Sequence, residues 1–147
     1  MVLGSGLSPV YIATAQAFDA EMQAKIAAHR AARGAGWRTL EEPVDLPAAL
    51  AHMTEKDAVL IDCATLWLTN VILSEASVDA AEAGLLQALA TCPAPVVIVS
   101  NEVGSGIVPD NALSRRFRNV QGRLNQRLAT QADSVVAVMA GLPLTLK

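Results

Sequence analysis

Two histidines occur among the 147 residues, His29 and His52, and the first has neighbours suited to phosphoryl chemistry. In "KIAAHRAAR" it stands beside Arg30 and four residues before Arg33. A neutral imidazole nitrogen can attack phosphorus and form a phosphoramidate, and adjacent guanidinium groups stabilise the charge that builds on the transferring group. On pattern alone the plainer reading is the stronger: a histidine packed at a helix edge beside two solvated arginines. His52, in "PAALAHMTEKD", reads as a capping or surface residue near a helix end.

Asp62 closes the apolar run "VLID". A carboxylate at the end of a buried strand can hold Mg²⁺, often through water, against a nucleotide's phosphates. An Asp in that place is more commonly a turn-former or helix cap. A third segment, "SNEVGSGIVPDNALSRRFR", places Asn101 and Glu102 after a strand, then two glycines, then a basic helix. Glycines admit close approach of backbone to ligand, and a helix N-terminus favours an anion. An ordinary strand–loop–helix crossover explains it equally well. Neither this "GSGIV" nor the early "GSGLSPV" carries the Lys-Ser/Thr of a phosphate loop, and the early one runs into a strand. "MVLGSGLSPVYIA" instead reads as the last turn of a helix, ended at Gly4 or Gly6, then a loop and a strand.

The elements that must carry these groups follow from the apolar pattern. Four short runs read as strands covered on both faces: "PVYIATA" (9–15), "AVLIDC" (58–63), "PVVIVS" (95–100) and "SVVAVM" (134–139). "WRTLEE" (37–42) reads as a further strand or an extended loop. Asp19 can cap a helix to about Arg33, with Phe18, Met22, Ile26, His29 and Arg33 on one stripe. Ser77 can cap a second helix to about Thr91. A third follows Pro109-Asp110-Asn111, with Leu113, Phe117, Val120, Leu124 and Leu128 on one face. Strands alternating with helices predict an α/β fold with a largely parallel sheet, whose ligand sits at the carboxyl ends of the strands. That rim collects Thr14, Ala15, Gln16, Asp62 and the Ser100-Asn101-Glu102 segment.

The length suits one domain, 1–147, with a real core. Hydrophobic residues make up 52% of the chain, yet only five are aromatic, so Ala, Leu and Val fill the interior. A net charge of −3 argues against general nucleic-acid binding, no apolar run is long enough for a membrane span, and no signal peptide is visible. Cys63 and Cys92 read as reduced core residues of a cytoplasmic protein. The apolar stretch "TLWLTNVIL" (65–73) suits the core or a subunit contact, with contact favoured.

Together, "YIATAQAFDAEMQAKIAAHRAARGAGWRTLEEP", "LIDCATLWLTNVI", "IVSNEVGSGIVPDNALSRRFRNVQGRLNQRLA" and "VMAGLPLTLK" resemble the bifunctional adenosylcobinamide kinase / adenosylcobinamide-phosphate guanylyltransferase family of cobalamin biosynthesis. The likeness runs from about residue 10 to the end. It implies a P-loop NTPase fold of RecA-like type and two reactions on a corrinoid. A nucleoside triphosphate, ATP or GTP, phosphorylates adenosylcobinamide. GTP then donates GMP to that phosphate, giving adenosylcobinamide-GDP.

By match, the resemblance implies that His29 carries GMP covalently, which reverses the plainer reading above. It places nucleotide contacts at Thr14, Ala15 and Gln16, at Arg30, Ala31, Ala32 and Arg33, and at Glu41 and Asp62, the last near Mg²⁺. "SNEVGSGIVP" is implied to lie at the rim of the active site. The resemblance also implies a homo-oligomer, with a trimer favoured. The family opens with a strand and a loop of the type "GG.RSGKS", which this sequence does not show, so the first strand, phosphate loop and most of the first helix are expected to be missing ahead of Met1. A misplaced start is the favoured explanation, and weak triphosphate binding the expected consequence. The competing expectations are a non-catalytic remnant that only oligomerises or binds ligand, and an unrelated α/β nucleotide-binding enzyme in which His29 is structural.

Overall fold

The computed structural model describes residues 2–17 and 19–147. Phe18, expected on the stripe of the first helix, lies outside the described residues. The chain, read from its length as one domain, divides into two compact units, Met1–Asn101 and Glu102–Lys147.

The first unit opens with a short 3-10 turn, Val2–Gly4, and Gly6 at φ 75° turns the chain into β1 (Ser8–Ala13). Then follow α1 (Ala20–Arg33), β2 (Arg38–Glu41), α2 (Leu46–Ala51), β3 (Asp57–Asp62), α3 (Ala64–Leu73), α4 (Val78–Thr91) and β4 (Val96–Val99). All four strands are parallel, in the order β2-β1-β3-β4. The α/β reading therefore holds, with helices joining the strands of a parallel sheet. β1 and β3 lie at the centre, and Val10, Ile12, Val59 and Ile61 are fully buried, as an apolar strand with partners on both edges requires. β4 is less covered than its run of four apolar residues suggests, with Val99 40% exposed, because it is an edge strand.

Local chemistry sets the helix starts. The Asp19 side chain accepts from Met22 N at 2.7 Å, and the Ser77 side chain caps α4 through Ala80 N. In "TLWLTNVIL", Trp67, Leu68 and Val71 of α3 are completely buried and belong to the core, while Leu73 at its end is 63% exposed. Trp67 Nε1 donates to Val44 O at 2.8 Å, which satisfies the indole inside that core.

The second unit holds α5 (Ala112–Gln131), capped by Asn111 through Ser114 N, and the strands β5 (Val136–Met139) and β6 (Leu142–Thr145). The expected fourth covered strand is corrected here. β5 pairs antiparallel with β6 in a hairpin, and Val138 and Met139 are exposed. The reason is the turn Ala140-Gly141, where both residues have positive φ (52° and 77°), the backbone of the tight hairpin turn. Two arginines of α5 serve the loop that precedes it. Arg118 donates to the Gly104 and Gly106 carbonyls, and Arg115 donates to those of Pro109 and Asp110.

Candidate functional site

β1 leads through α1 outward to β2, whereas β3 leads through α3 and α4 to β4 on the opposite side. The connections thus diverge at the carboxyl ends of β1 and β3, the place where open α/β sheets leave a crevice. A cavity of about 650 Å³ opens there. Ala15 and Gln16 line it from the end of β1, Asp62 from the end of β3, and Glu41 from the end of β2. α1 contributes His29, Arg30 and Arg33, with Met22 and Ile26 as apolar wall. Of the ten residues singled out in the sequence, seven line this cavity, Thr14 is buried at the end of β1, and Ala31 and Ala32 are exposed on α1. Ala31 lines a shallower neighbouring depression with Arg30 and Gln23.

Thr14 is placed differently from expectation. It is fully buried and does not line the cavity. Its hydroxyl donates to Cys63 O at 2.8 Å and accepts from Cys63 N at 2.7 Å. Its own N donates to Asp62 O, and its O accepts from Asn70 Nδ2. The amide and hydroxyl of Thr14 pin the end of β1 to the end of β3, and its carbonyl is held by α3, so Thr14 shapes the crevice that Ala15 and Gln16 line.

The electrostatic centre is a group the sequence reading passed over. Tyr11 O–H donates to Asp62 Oδ2 at 2.6 Å, and the Arg33 guanidinium lies 3.3 Å above the centroid of the Tyr11 ring. Trp37 meets the same ring edge-on, with centroids 6.1 Å apart. Gly34 and Gly36, at φ 74° and 102°, turn the chain between Arg33 and Trp37 so that both reach the ring. A guanidinium on an aromatic face is stabilised by about 0.5–2 kcal/mol. Burial pushes the Tyr11 phenol above its ordinary range, and the Asp62 carboxylate that accepts its proton pushes it further. Arg33 Nη1 is buried and makes no hydrogen bond. Leaving such a donor unsatisfied costs roughly 1–3 kcal/mol or more, which an anionic acceptor in the cavity recovers. A tyrosine inside an aliphatic strand was the available signal, since a buried phenol requires a partner.

His29 is exposed on α1, and Arg30 beside it forms an exposed ion pair with Glu41 at 3.4 Å. The site therefore sets an accessible imidazole, two guanidiniums, two carboxylates and a side-chain amide around one nucleotide-sized cavity. Such a set can bind a phosphate ester and offer a nitrogen nucleophile to it.

The cobinamide kinase / cobinamide phosphate guanyltransferase family model matches residues 1–146. The chain belongs to that family. It is 47% identical over 146 residues to the bifunctional adenosylcobalamin biosynthesis protein CobP of Pseudomonas aeruginosa, covering 97% of this chain and 84% of the relative. The bifunctional CobU proteins of Salmonella typhimurium and Escherichia coli are 39% and 36% identical over 162 residues, covering 99% of this chain and 90% of each relative. Those two matched spans are longer than the 147 residues here, so both relatives carry residues inside the match that have no counterpart in this chain. As a cobinamide kinase / guanyltransferase family member, the chain presents His29, Arg30 and Arg33 from α1 and Glu41 and Asp62 from the ends of β2 and β3.

Proposed function

We propose that this chain transfers a guanylyl group from GTP to adenosylcobinamide phosphate, with His29 as the covalent carrier, and that it shares the kinase activity named for its relatives. The observation that carries the reading is the convergence of His29, Arg30 and Arg33 with Gln16 and Asp62 on one cavity.

In the first half-reaction an imidazole nitrogen of His29 attacks the α-phosphorus of GTP. The bond from that phosphorus to the oxygen bridging to the β-phosphate breaks, and pyrophosphate leaves. The phosphorylated imidazolium then releases its one remaining N–H proton to water, to which His29 is exposed. In the second half-reaction an oxygen of adenosylcobinamide phosphate attacks the same phosphorus. The N–P bond breaks, the imidazole recovers a proton, and adenosylcobinamide-GDP forms. Arg30 and Arg33 stabilise charge on the phosphoryl oxygens, and the orphaned Nη1 of Arg33 has the donor such an oxygen needs. Gln16 and Glu41 bound the cavity with groups able to pair with a base or ribose.

The family implies Mg²⁺. Tyr11 occupies one Asp62 oxygen and leaves the other, and among the described residues no cluster of three or more His, Cys, Asp or Glu could hold a metal alone. That donor set fits a Mg²⁺ carried mainly by phosphates and water, with Asp62 as the protein's share. Bound there, the ion would neutralise phosphate charge.

The test is product formation. GTP and adenosylcobinamide phosphate are incubated with the chain and with His29→Ala, and adenosylcobinamide-GDP is quantified by mass spectrometry. The proposal expects product from the first and at least a thousandfold less from the second, consistent with loss of a nucleophile. Equal rates would remove His29 from the chemistry.

A further inference from the structure

We propose that Tyr11 is a positioning residue that keeps Arg33 and Asp62 from pairing with each other, so that both stay available to the nucleotide. The proposal rests on the guanylyl-transfer reading for its ligand, though not for its geometry.

A half-buried guanidinium and a carboxylate at one crevice would ordinarily form a bidentate pair. Here they do not. The Tyr11 ring separates them, with Arg33 on its face at 3.3 Å and Asp62 at its hydroxyl at 2.6 Å. The ring satisfies each charge partially. The face attracts the cation without taking its N–H donors, and the phenol gives the carboxylate one proton and leaves it an oxygen. Arg33 Nη1 consequently remains buried with no acceptor from the protein. Trp37, edge-on to the same ring, braces it from another side. Tyr11 also sits on a central strand with its backbone fixed by β2 and β3, so the partition does not depend on a loop.

Tyr11→Phe keeps the face and loses the hydroxyl, whereas Tyr11→Leu loses both. In the leucine variant Arg33 is expected to fall onto Asp62 and neutralise it. Two readouts on the full chain test this. GMP binding is measured without added metal. In ligand-free protein, the Arg33 Nε–Hε resonance, assigned by its disappearance in Arg33→Lys, is followed by NMR.

With Tyr11→Phe, GMP affinity is expected to stay within about twofold, and with Tyr11→Leu to fall about tenfold or more. Adding Asp62→Asn to the leucine variant is expected to restore most of the loss, a rescue that a general packing defect does not show. In ligand-free protein, Asp62→Asn is expected to displace the Arg33 resonance strongly in the leucine variant and weakly when Tyr11 is present. Equal displacement in both backgrounds, or a loss of affinity that Asp62→Asn does not relieve, overturns the proposal. If the leucine variant does not fold, the phenylalanine variant decides: an Arg33 resonance that leaves its stacked position with the face intact contradicts the platform role. Absence of GMP binding in the unsubstituted chain would sink the guanylyl-transfer reading, and the resonance comparison would still settle the role of Tyr11.

Discussion

Asn70 Nδ2 on α3 donates to Thr14 O at 2.8 Å, and the same nitrogen donates to Pro43 O at 3.0 Å. One buried amide thus ties the loop leaving β1, which carries Gln16, to the loop leaving β2, which follows Glu41 at the cavity. Trp67, one turn earlier, holds Val44. α3 is therefore the frame behind the site as well as part of the core.

Asn70→Leu conserves volume and strands two carbonyls. A loss of about 2–4 kcal/mol is expected from two unsatisfied acceptors, read from denaturant unfolding. GMP affinity should fall with it, because the rim loops lose their common tie. A loss under about 0.5 kcal/mol, the range of ordinary surface substitutions, would show that the tie is dispensable.

Arg30 and Glu41 form an exposed pair, and exposed pairs contribute only about 0–1 kcal/mol. Arg30→Ala should thus leave thermal stability nearly unchanged while weakening guanylyl transfer at least tenfold through loss of a phosphate partner. A variant that transfers normally would assign Arg30 to the surface.

Acid stability should carry the mark of Asp57. The Thr54 hydroxyl and amide hydrogen-bond its carboxylate, and with Arg38 at 3.0 Å they hold it below the usual carboxylate range. A carboxylate lowered in the folded state contributes stability that is complete above its unfolded value near 3.9 and is lost as pH falls through the folded value. Asp57→Asn should accordingly be less stable at neutral pH, and its deficit should shrink as pH drops below about 4. A deficit that stays constant would place the effect in packing.

Tyr11 is the single tyrosine, so absorbance of tyrosinate near 295 nm reports on it alone. Burial, then Asp62, raises its phenol in the folded state. The folded protein holds that proton after the unfolded chain has released it near pH 10, so stability should decline as pH rises beyond about 10. Tyrosinate should appear together with loss of circular dichroism. An inflection near pH 10 in still-folded protein would mean the ring is not held as described.

Much of the frame was legible in the sequence, because local chemistry sets it. Asp19, Ser77 and Asn111 each cap the helix their positions announce, and the "VLID" run is a central strand ending in Asp62. The strand-end rule reached Ala15, Gln16 and Asp62, and residue type marked His29 with Arg30 and Arg33, while Glu41 entered only through the family resemblance. What stayed hidden depends on partners distant in the chain. Thr14 is a polar residue at a strand end, and its hydroxyl is consumed 49 residues away by Cys63. Tyr11 looked like filler in an apolar run until Asp62, Arg33 and Trp37 met around it. "SVVAVM" had the composition of a covered strand, and the Ala140-Gly141 turn made it half of a hairpin.

The central claim is that His29 carries GMP. The most direct measurement is incubation of the chain with GTP labelled on the α-phosphate in the presence of Mg²⁺, followed by peptide mapping. A guanylyl-histidine predicts label that survives base, is lost in acid, maps to the peptide containing His29, and is absent from His29→Ala. Label on another residue, or product formed with no labelled protein at any time, would contradict it.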